Sequence, residues 1–446
     1  MKRIVLALLA SALSVTAAFA LDGAWRGEIS VGRSKLPLVL NFTDSAGVMS
    51  CTLDSPMQGA KGIAARVLHC SSDSIALWFT PIGAKYCARL SSTEIKGVFS
   101  QRGAKLPLIL IPEAPLEDRR PQTPRPPFAY TIIDTTFVAP DGAKMAATIT
   151  LPANMKRKTP AVILVSGSGA QNRDEEIFEH RPFAVIADFL ARNGVATLRY
   201  DDRGTASSEG DFAKGTTFTF KDDARSAVEF MRTIDGIGKV GVAGHSEGGT
   251  IAFMLGAERV PDFIISLAGM AESGKQTLLR QNGRAFDKAG VAGKDKDDAL
   301  ALIGYMFDIM AEQRRKDAVA TIDLDSITAT HGLCVPADVF SSLKMNQKML
   351  RSPWFDTTVG LDPAEYIRLI KCPMLAINGS IDTQVEAEPN VAVIRTNAPK
   401  AKTEIFPQLN HLMQHATTGD SSEYGEIKET IAPEVLKAIV SFIRKL

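Results

Sequence analysis

From Leu21 to about Ile111, apolar and polar residues alternate in short runs, such as Leu36 to Phe42 and Ser74 to Phe79, broken by Gly, Asp and Ser. A period of two marks strands with one buried face, and turn residues between the runs predict antiparallel pairing. Segment 21–111 is therefore expected to form a small antiparallel β domain, a curled sheet or partial barrel, with Trp25-Arg26-Gly27 near its start and Gly97 to Gln101 near its end. A proline-rich stretch follows over 112–128, with Arg119 and Arg120 between the prolines. Prolines so closely spaced predict an extended, fairly stiff connector, and the domain boundary is placed there.

Beyond this stretch the period changes. Two β-rich runs, Tyr130 to Val138 and Lys144 to Leu151, lead to Ala161 to Ser166, a continuous apolar run of the kind buried on both faces. Helical and strand patterns then alternate: Phe183 to Arg192, Val195 to Tyr200, Lys221 to Ile234, Val240 to Ala243, Gly248 to Glu258, Phe263 to Ala268. Such alternation predicts an α/β domain over 129–446, a mostly parallel sheet with helices on both faces. Charged helical segments, notably Asp297 to Arg315, interrupt the rhythm over about 270–369 and read as an inserted helical cap. The sheet resumes at Met374 to Asn378 and Thr403 to Phe406, and an amphipathic helix over Pro433 to Leu446 closes the pattern.

The 446 residues exceed one ordinary core, and 45% hydrophobic with 23% charged residues is a globular composition. A formal net charge of +1 supplies no field for nucleic acid or an anionic membrane, so the expected partner is a small, largely uncharged molecule. Lys2 and Arg3, the apolar run Ile4 to Ala12 and then Ala18-Phe19-Ala20 have the form of an export signal over 1–20. That run is short for a bilayer core needing roughly 20 residues, so the mature chain is expected to start near Leu21, without a membrane span, in the periplasm or outside the cell. Five cysteines leave at least one thiol unpaired, and one bridge among Cys51, Cys70 and Cys87 stands against all being buried thiols. No Cys/His cluster has zinc spacing, and neither a metal nor a cofactor is expected.

Gly244-His245-Ser246-Glu247-Gly248 fits G-x-S-x-G, and a short apolar strand before it and a helix after it supply the context that this weak pattern needs. Ser246 is the candidate nucleophile; a serine on a helix N-cap is the bland alternative. A serine hydroxyl needs a base and an acid to orient that base. Of six histidines, only His411 and His415 follow the last predicted strand, and the loop Pro407 to Asn410 favours His411 as the base. His415 shares a helical face with it if a helix follows. Asp382, in the turn after Met374 to Asn378, is the acid candidate, ahead of Glu386 and Glu388, which sit where the next helix begins. An oxyanion requires backbone donors, expected at Glu247 and, from the loop Gly167 to Asp174, at Ser168 with Gly169 close behind. That loop lacks the Lys-Ser/Thr ending of a nucleotide-binding P-loop.

Together Ser166 to Asp174, Leu198 to Gly204, Gly244 to Gly249, Asn378 to Val385, Asn410-His411 and Glu429-Thr430 resemble a family of exported bacterial serine esterases with a β-rich N-terminal domain, related to the S9 and S33 serine peptidases. The resemblance implies an α/β-hydrolase fold, a triad of Ser246, Asp382 and His411, pairing by Arg173 and Asp174 that stabilises the oxyanion loop, and structural roles for Asp202 and Arg203. Ala170 departs from the commoner pattern, where the loop often has Pro. Cleavage of a small-molecule carboxylic ester is the expected activity. The alternatives are an amidase or aminopeptidase-like serine peptidase using the same triad, and an inert protein whose β domain binds a glycan or a partner.

Overall fold

A computed structural model describes residues 21–31, 34–45, 48–58, 60–114, 119–315, 322–346 and 352–446. The export signal read on 1–20 and residues 115–118 of the proline-rich stretch lie outside the described residues. The chain divides after Leu116 into two compact units.

In the first unit eight antiparallel strands, β1 (Gly23–Val31), β2 (Ser34–Ser45), β3 (Val48–Ser55), β4 (Ala60–Cys70), β5 (Ser74–Phe79), β6 (Ala84–Leu90), β7 (Ile95–Gln101) and β8 (Ala104–Pro112), follow one another around a closed barrel. Closure comes from β1 pairing with β8, Trp25 opposite Pro112 and Gly27 opposite Leu110. Period-two alternation fills the lumen with Trp25, Leu40, Phe42, Leu53, Leu77, Phe79 and Phe99, leaving no open edge between first and last strands. The five cysteines are free thiols. Cys51 is buried in the barrel core while Cys70 and Cys87 are exposed, so the bridge considered among them is not formed. Burial pushes the Cys51 thiol up to about 12.

The second unit carries an eight-stranded sheet. Its strands are β9 (Tyr130–Val138), β10 (Lys144–Pro152), β11 (Thr159–Val165), β12 (Ala196–Tyr200), β13 (Ile237–His245), β14 (Phe263–Leu267), β15 (Met374–Gly379) and β16 (Lys402–Phe406), in the order β16-β15-β14-β13-β11-β12-β10-β9. β11 to β16 pair in parallel, and β9 and β10 add an antiparallel edge. Both faces are covered. On β11, Ala161, Ile163 and Val165 pack toward α2 (Thr217–Arg232) and α3 (Glu247–Ala257), while Val162 and Leu164 pack toward α1 (Pro182–Arg192) and α11 (Pro433–Ile443). This is the mostly parallel α/β sheet that the pattern predicts, in the α/β-hydrolase arrangement that the resemblance implies.

α2 begins ahead of the Lys221 start expected from periodicity. Thr216 caps it: its hydroxyl accepts the Thr219 amide and the Thr219 hydroxyl accepts the Thr216 amide, a capping box written with Thr where Glu or Gln is usual. Between β14 and β15 the described residues form six helices, α4 (Gly274–Ala289), α5 (Gly293–Arg315), α6 (Leu324–His331), α7 (Ala337–Met345), α8 (Pro353–Val359) and α9 (Pro363–Ile367). Leu302, Met306, Phe307, Leu324, Phe355 and Val359 give this insertion a core of its own. α10 (Ala387–Asn397) follows β15.

The proline-rich stretch is more than a connector. Arg120 is buried and donates to the carbonyls of Phe178, Gly425 and Ile427, and Gln122 bonds the backbone of Thr430 and Ile431. The guanidinium's fork of donors explains the docking: three loop carbonyls that helix and sheet leave unpaired converge on it. Among the described residues no helix is long and apolar enough to cross a membrane.

Candidate active site

Every candidate residue follows a parallel strand, so the topology brings them to the carboxyl edge of the sheet: Ser168 after β11, Ser246 after β13, Asp382 after β15 and His411 after β16. Ser246 sits between β13 and α3 at φ 52° and ψ −118°, strained for a residue with a side chain, and its amide donates to the Leu267 carbonyl at 2.9 Å. The flanking glycines are required by contact: a Cβ on Gly244 would lie 1.9 Å from the Gly248 carbonyl oxygen, and one on Gly248 would lie 2.1 Å from that of Val165. The helix start is thereby pressed onto β13 and β11, and the serine is lifted out of the turn.

His411 Nδ1 lies 2.8 Å from Asp382 Oδ2, both side chains being almost fully buried. Asp382 Oδ1 accepts the amides of Gln384 at 2.8 Å and Val385 at 2.9 Å, which fixes the carboxylate's orientation. The aspartate therefore holds the proton on Nδ1 and leaves Nε2 basic. Among the described residues the Ser246 hydroxyl and His411 Nε2 make no hydrogen bond, to each other or to another group, so of the three side chains it is the Asp382–His411 pair that this structure joins.

The rival groups go elsewhere. His415 is half-exposed between Glu429 and Glu434, and no helix carries it: Asn410 and Gln414 bond each other in a tight loop, with Met413 at φ 61°. Side chain to backbone bonding by Asn410 outcompetes the helix that would have put His411 and His415 on one face. Glu386 precedes α10 and pairs with Arg284 and Arg280 of the cap, and Glu388 is exposed in the first turn of that helix.

Ser168, Ser246 and Glu247 line one cleft with Met270, Leu278, Trp354, Leu361 and Val385, enclosing about 500 Å³ including its open mouth. Gly167 amide is taken by Glu175 Oε1 at 2.7 Å, so the next amide along, that of Ser168, is the one the loop can offer. The loop owes its shape to acids after β12. Asp202 accepts from the Ser166 hydroxyl and the Gln171 amide, each at 2.8 Å, so the missing proline at Ala170 is replaced by side-chain anchoring. Arg173 and Asp174 do not pair with each other: Arg173 pairs with Asp201 at 2.7 Å, and Asp174 with Arg199. Arg203 is held between Asp223 at 2.5 Å and Asp141 at 2.7 Å.

Two features had no readable signal. Trp354, from the cap, donates its indole N–H to Glu247 Oε1 at 2.8 Å, and Thr217 donates to the same oxygen at 2.6 Å. The residue whose amide follows the nucleophile thus ties the cap to the elbow, and burial raises its carboxyl above the usual range. Second, His245 is bonded on both sides, to Glu175 and to the His411 carbonyl. Among the described residues no group of three or more His, Cys, Asp or Glu side chains is placed to hold a metal ion.

The profile of the family described as X-Pro dipeptidyl-peptidase (S15 family) matches residues 141–412, more than half of the chain and all four candidate segments. The chain is 24% identical over 291 residues to esterase EstD of Thermotoga maritima, covering 63% of this chain and 62% of that relative's length. Among solved structures, Est1E from Butyrivibrio proteoclasticus aligns at 17% identity over 70% of this chain and 98% of its own, with a TM-score of 0.41. The α/β hydrolase GrgF from Penicillium sp. sh18 aligns at 14% identity over 71% and 98%, with a TM-score of 0.44.

Proposed function

Because the chain belongs to the X-Pro dipeptidyl-peptidase (S15) family, we propose that it is a serine hydrolase, and that it cleaves small carboxylic esters through an acyl-enzyme intermediate. Ser246 Oγ attacks the ester carbonyl while His411 Nε2 takes its proton, and the Asp382 carboxylate stabilises the imidazolium that forms. The amides of Ser168 and Glu247 receive the developing oxyanion; one such donor is typically worth about 3 to 4 kcal/mol of barrier. His411 then returns the proton to the departing alcohol, and a water activated in the same way releases the acid.

The observation that carries the reading is the pairing of a strained serine on a strand-to-helix turn with a buried aspartate–histidine bond of 2.8 Å at the same sheet edge. Ester is preferred over peptide for the lining of the cleft. A dipeptide's ammonium group calls for a carboxylate, and the one acid among the lining residues, Glu247, already receives Trp354 and Thr217. Met270, Leu278, Leu361 and Val385 suit a short apolar acyl group. Peptide cleavage remains the second reading, favoured by the family description itself. Parallel assays with p-nitrophenyl acetate and an aminoacyl-prolyl anilide decide between them: turnover of the ester is expected, and clear preference for the anilide rejects the choice. The relative EstD is an esterase by name, which supports the ester reading.

A further inference from the structure

His245, beside the nucleophile and buried, takes no part in the proton transfers just described. Its Nδ1 lies 2.9 Å from Glu175 Oε1 and its Nε2 lies 2.9 Å from the His411 carbonyl oxygen. A carbonyl oxygen only accepts. The Glu175 oxygen also receives the Gly167 amide at 2.7 Å, and as part of a carboxylate it too only accepts. Both ring nitrogens therefore face acceptors, and a neutral imidazole would set a lone pair against one of them. Only the imidazolium satisfies the arrangement.

The surroundings support that charge. Burial by itself disfavours it, but the Glu175 carboxylate, the His411 carbonyl and, farther off, Asp382 outweigh burial and raise the ring to about 9. The charged and titratable groups around the pair come from several elements: Glu175 after β11, Asp382 after β15, His411 after β16 with its ring centroid 4.8 Å away, and, beside Glu175, Asp202 after β12, which in turn faces Glu247 on α3. Packing is equally specific. A Cβ on Gly167 would come within 3.1 Å of Ser246 Cβ, 3.3 Å of Glu175 Oε1 and 3.5 Å of His245 Nδ1. Glu175 itself is held at φ 51°, a strained backbone that its hydrogen bonds over-determine.

We propose that His245 is a standing imidazolium which, through Glu175 and the His411 carbonyl, ties the oxyanion loop at Gly167 to the loop that carries the base, making Glu175 and His245 positioning residues for the reaction. The inference rests on the reading of Ser246 and His411 given above. One ion pair spans the first and last parts of the site to arrive in the chain, with the nucleophile between them, so the amide of Ser168 and the imidazole of His411 keep a fixed separation while charge moves.

The direct test is nitrogen NMR of the full chain labelled with ¹⁵N-histidine, with the His245 signals identified by their absence from His245→Gln. Both ring nitrogens protonated at pH 7 is the expected result; a neutral ring in the folded protein overturns the proposal, whatever the turnover. The kinetic counterpart is a pH profile. Wild-type kcat should fall as pH rises past about 9, the value to which the pair raises the ring, and Glu175→Gln should move that limb to lower pH. In His245→Gln the limb should be gone. Loosening the loops should lower kcat by roughly 10- to 100-fold in both variants, as sub-ångström misplacement of reacting groups does, with KM little changed. Wild-type kcat and an unmoved alkaline limb in Glu175→Gln would overturn the proposal. Failure of the nucleophile assignment shows differently, as turnover that survives Ser246→Ala.

Discussion

Replacing Asp382 by Asn tests the orientation of the base, because the structure dictates how the amide must sit. The two amides of Gln384 and Val385 point at Oδ1, at 2.8 and 2.9 Å, in a pocket where the side chain has no exposure. An asparagine keeps both bonds only with its oxygen on that side, which turns its NH₂ toward His411 Nδ1. Nδ1 must then accept, the proton moves to Nε2, and the base cannot take the serine's proton. The opposite, productive orientation sets NH₂ against two backbone N–H groups and forfeits both bonds, at roughly 1 to 3 kcal/mol each. A penalty of about 2 to 6 kcal/mol leaves a productive fraction of about 1 in 30 to roughly 1 in 25,000. Loss of the carboxylate charge beside the imidazolium lowers the rate further, so kcat is expected to fall by about 10³- to 10⁴-fold. The unfolding midpoint should barely change, since Asn preserves the two backbone bonds, whereas Asp382→Ala should lose stability as well as turnover. The assay is p-nitrophenyl acetate hydrolysis alongside urea unfolding of the same preparations. A folded Asn variant within tenfold of wild type would refute the reasoning.

The remaining predictions concern stability, thiols and processing. Removing one partner of the buried Arg203–Asp223 pair, as in Asp223→Asn, should cost about 3 to 5 kcal/mol in urea unfolding, and a loss under about 1 kcal/mol would show that the pair is not buried in solution. His180 is held down to about 4 by burial and by Arg120, so its neutral form stabilises the fold fully above the unfolded value of 6.5, and that stability is lost as pH falls through about 4. Unfolding free energy measured from pH 7 to pH 4 should fall more steeply in wild type than in His180→Asn; equal slopes contradict this. Intact mass should be the same with and without reductant, and Cys51 should resist alkylation at pH 8 until the chain is unfolded. We also propose removal of the segment before Leu21 on export; N-terminal sequencing of protein from a periplasmic extract should begin there, and a chain starting at Met1 rejects it.

The parts of the molecule that were legible in the sequence are those where local pattern and tertiary demand coincide. The turn at Ser246 could be read because a tight elbow admits only glycine at Gly244 and Gly248, and the place of Asp382 because the strand before it is a buried, largely apolar run ending at the sheet edge; His411 follows the mixed, half-buried strand Lys402–Phe406 and is placed by its loop alone. What stayed hidden depends on partners far away in the chain. Closure of the barrel is a pairing of Trp25 with Pro112, and no residue near either announces it. Arg120 reads as a linker charge until three carbonyls from two distant loops converge on it, and Arg173 and Asp174 read as partners of each other until β12 supplies Asp201 and Arg199. Trp354 belongs to a cap whose helices share no recognisable code, so its bond to Glu247 is visible only in three dimensions. Spacing alone leaves open a helix that would set His415 beside His411, because it cannot show Asn410 closing a loop on Gln414.

The nucleophile is identified most directly by the atom that an electrophile aimed at serine hydrolases modifies. Treating the folded protein with a fluorophosphonate and mapping the adduct by peptide mass spectrometry should find the phosphonyl group on Ser246, at one equivalent per chain, with labelling and ester turnover both abolished in Ser246→Ala. An adduct on a different residue, or an alanine variant that keeps hydrolysing the ester, would contradict the assignment of Ser246.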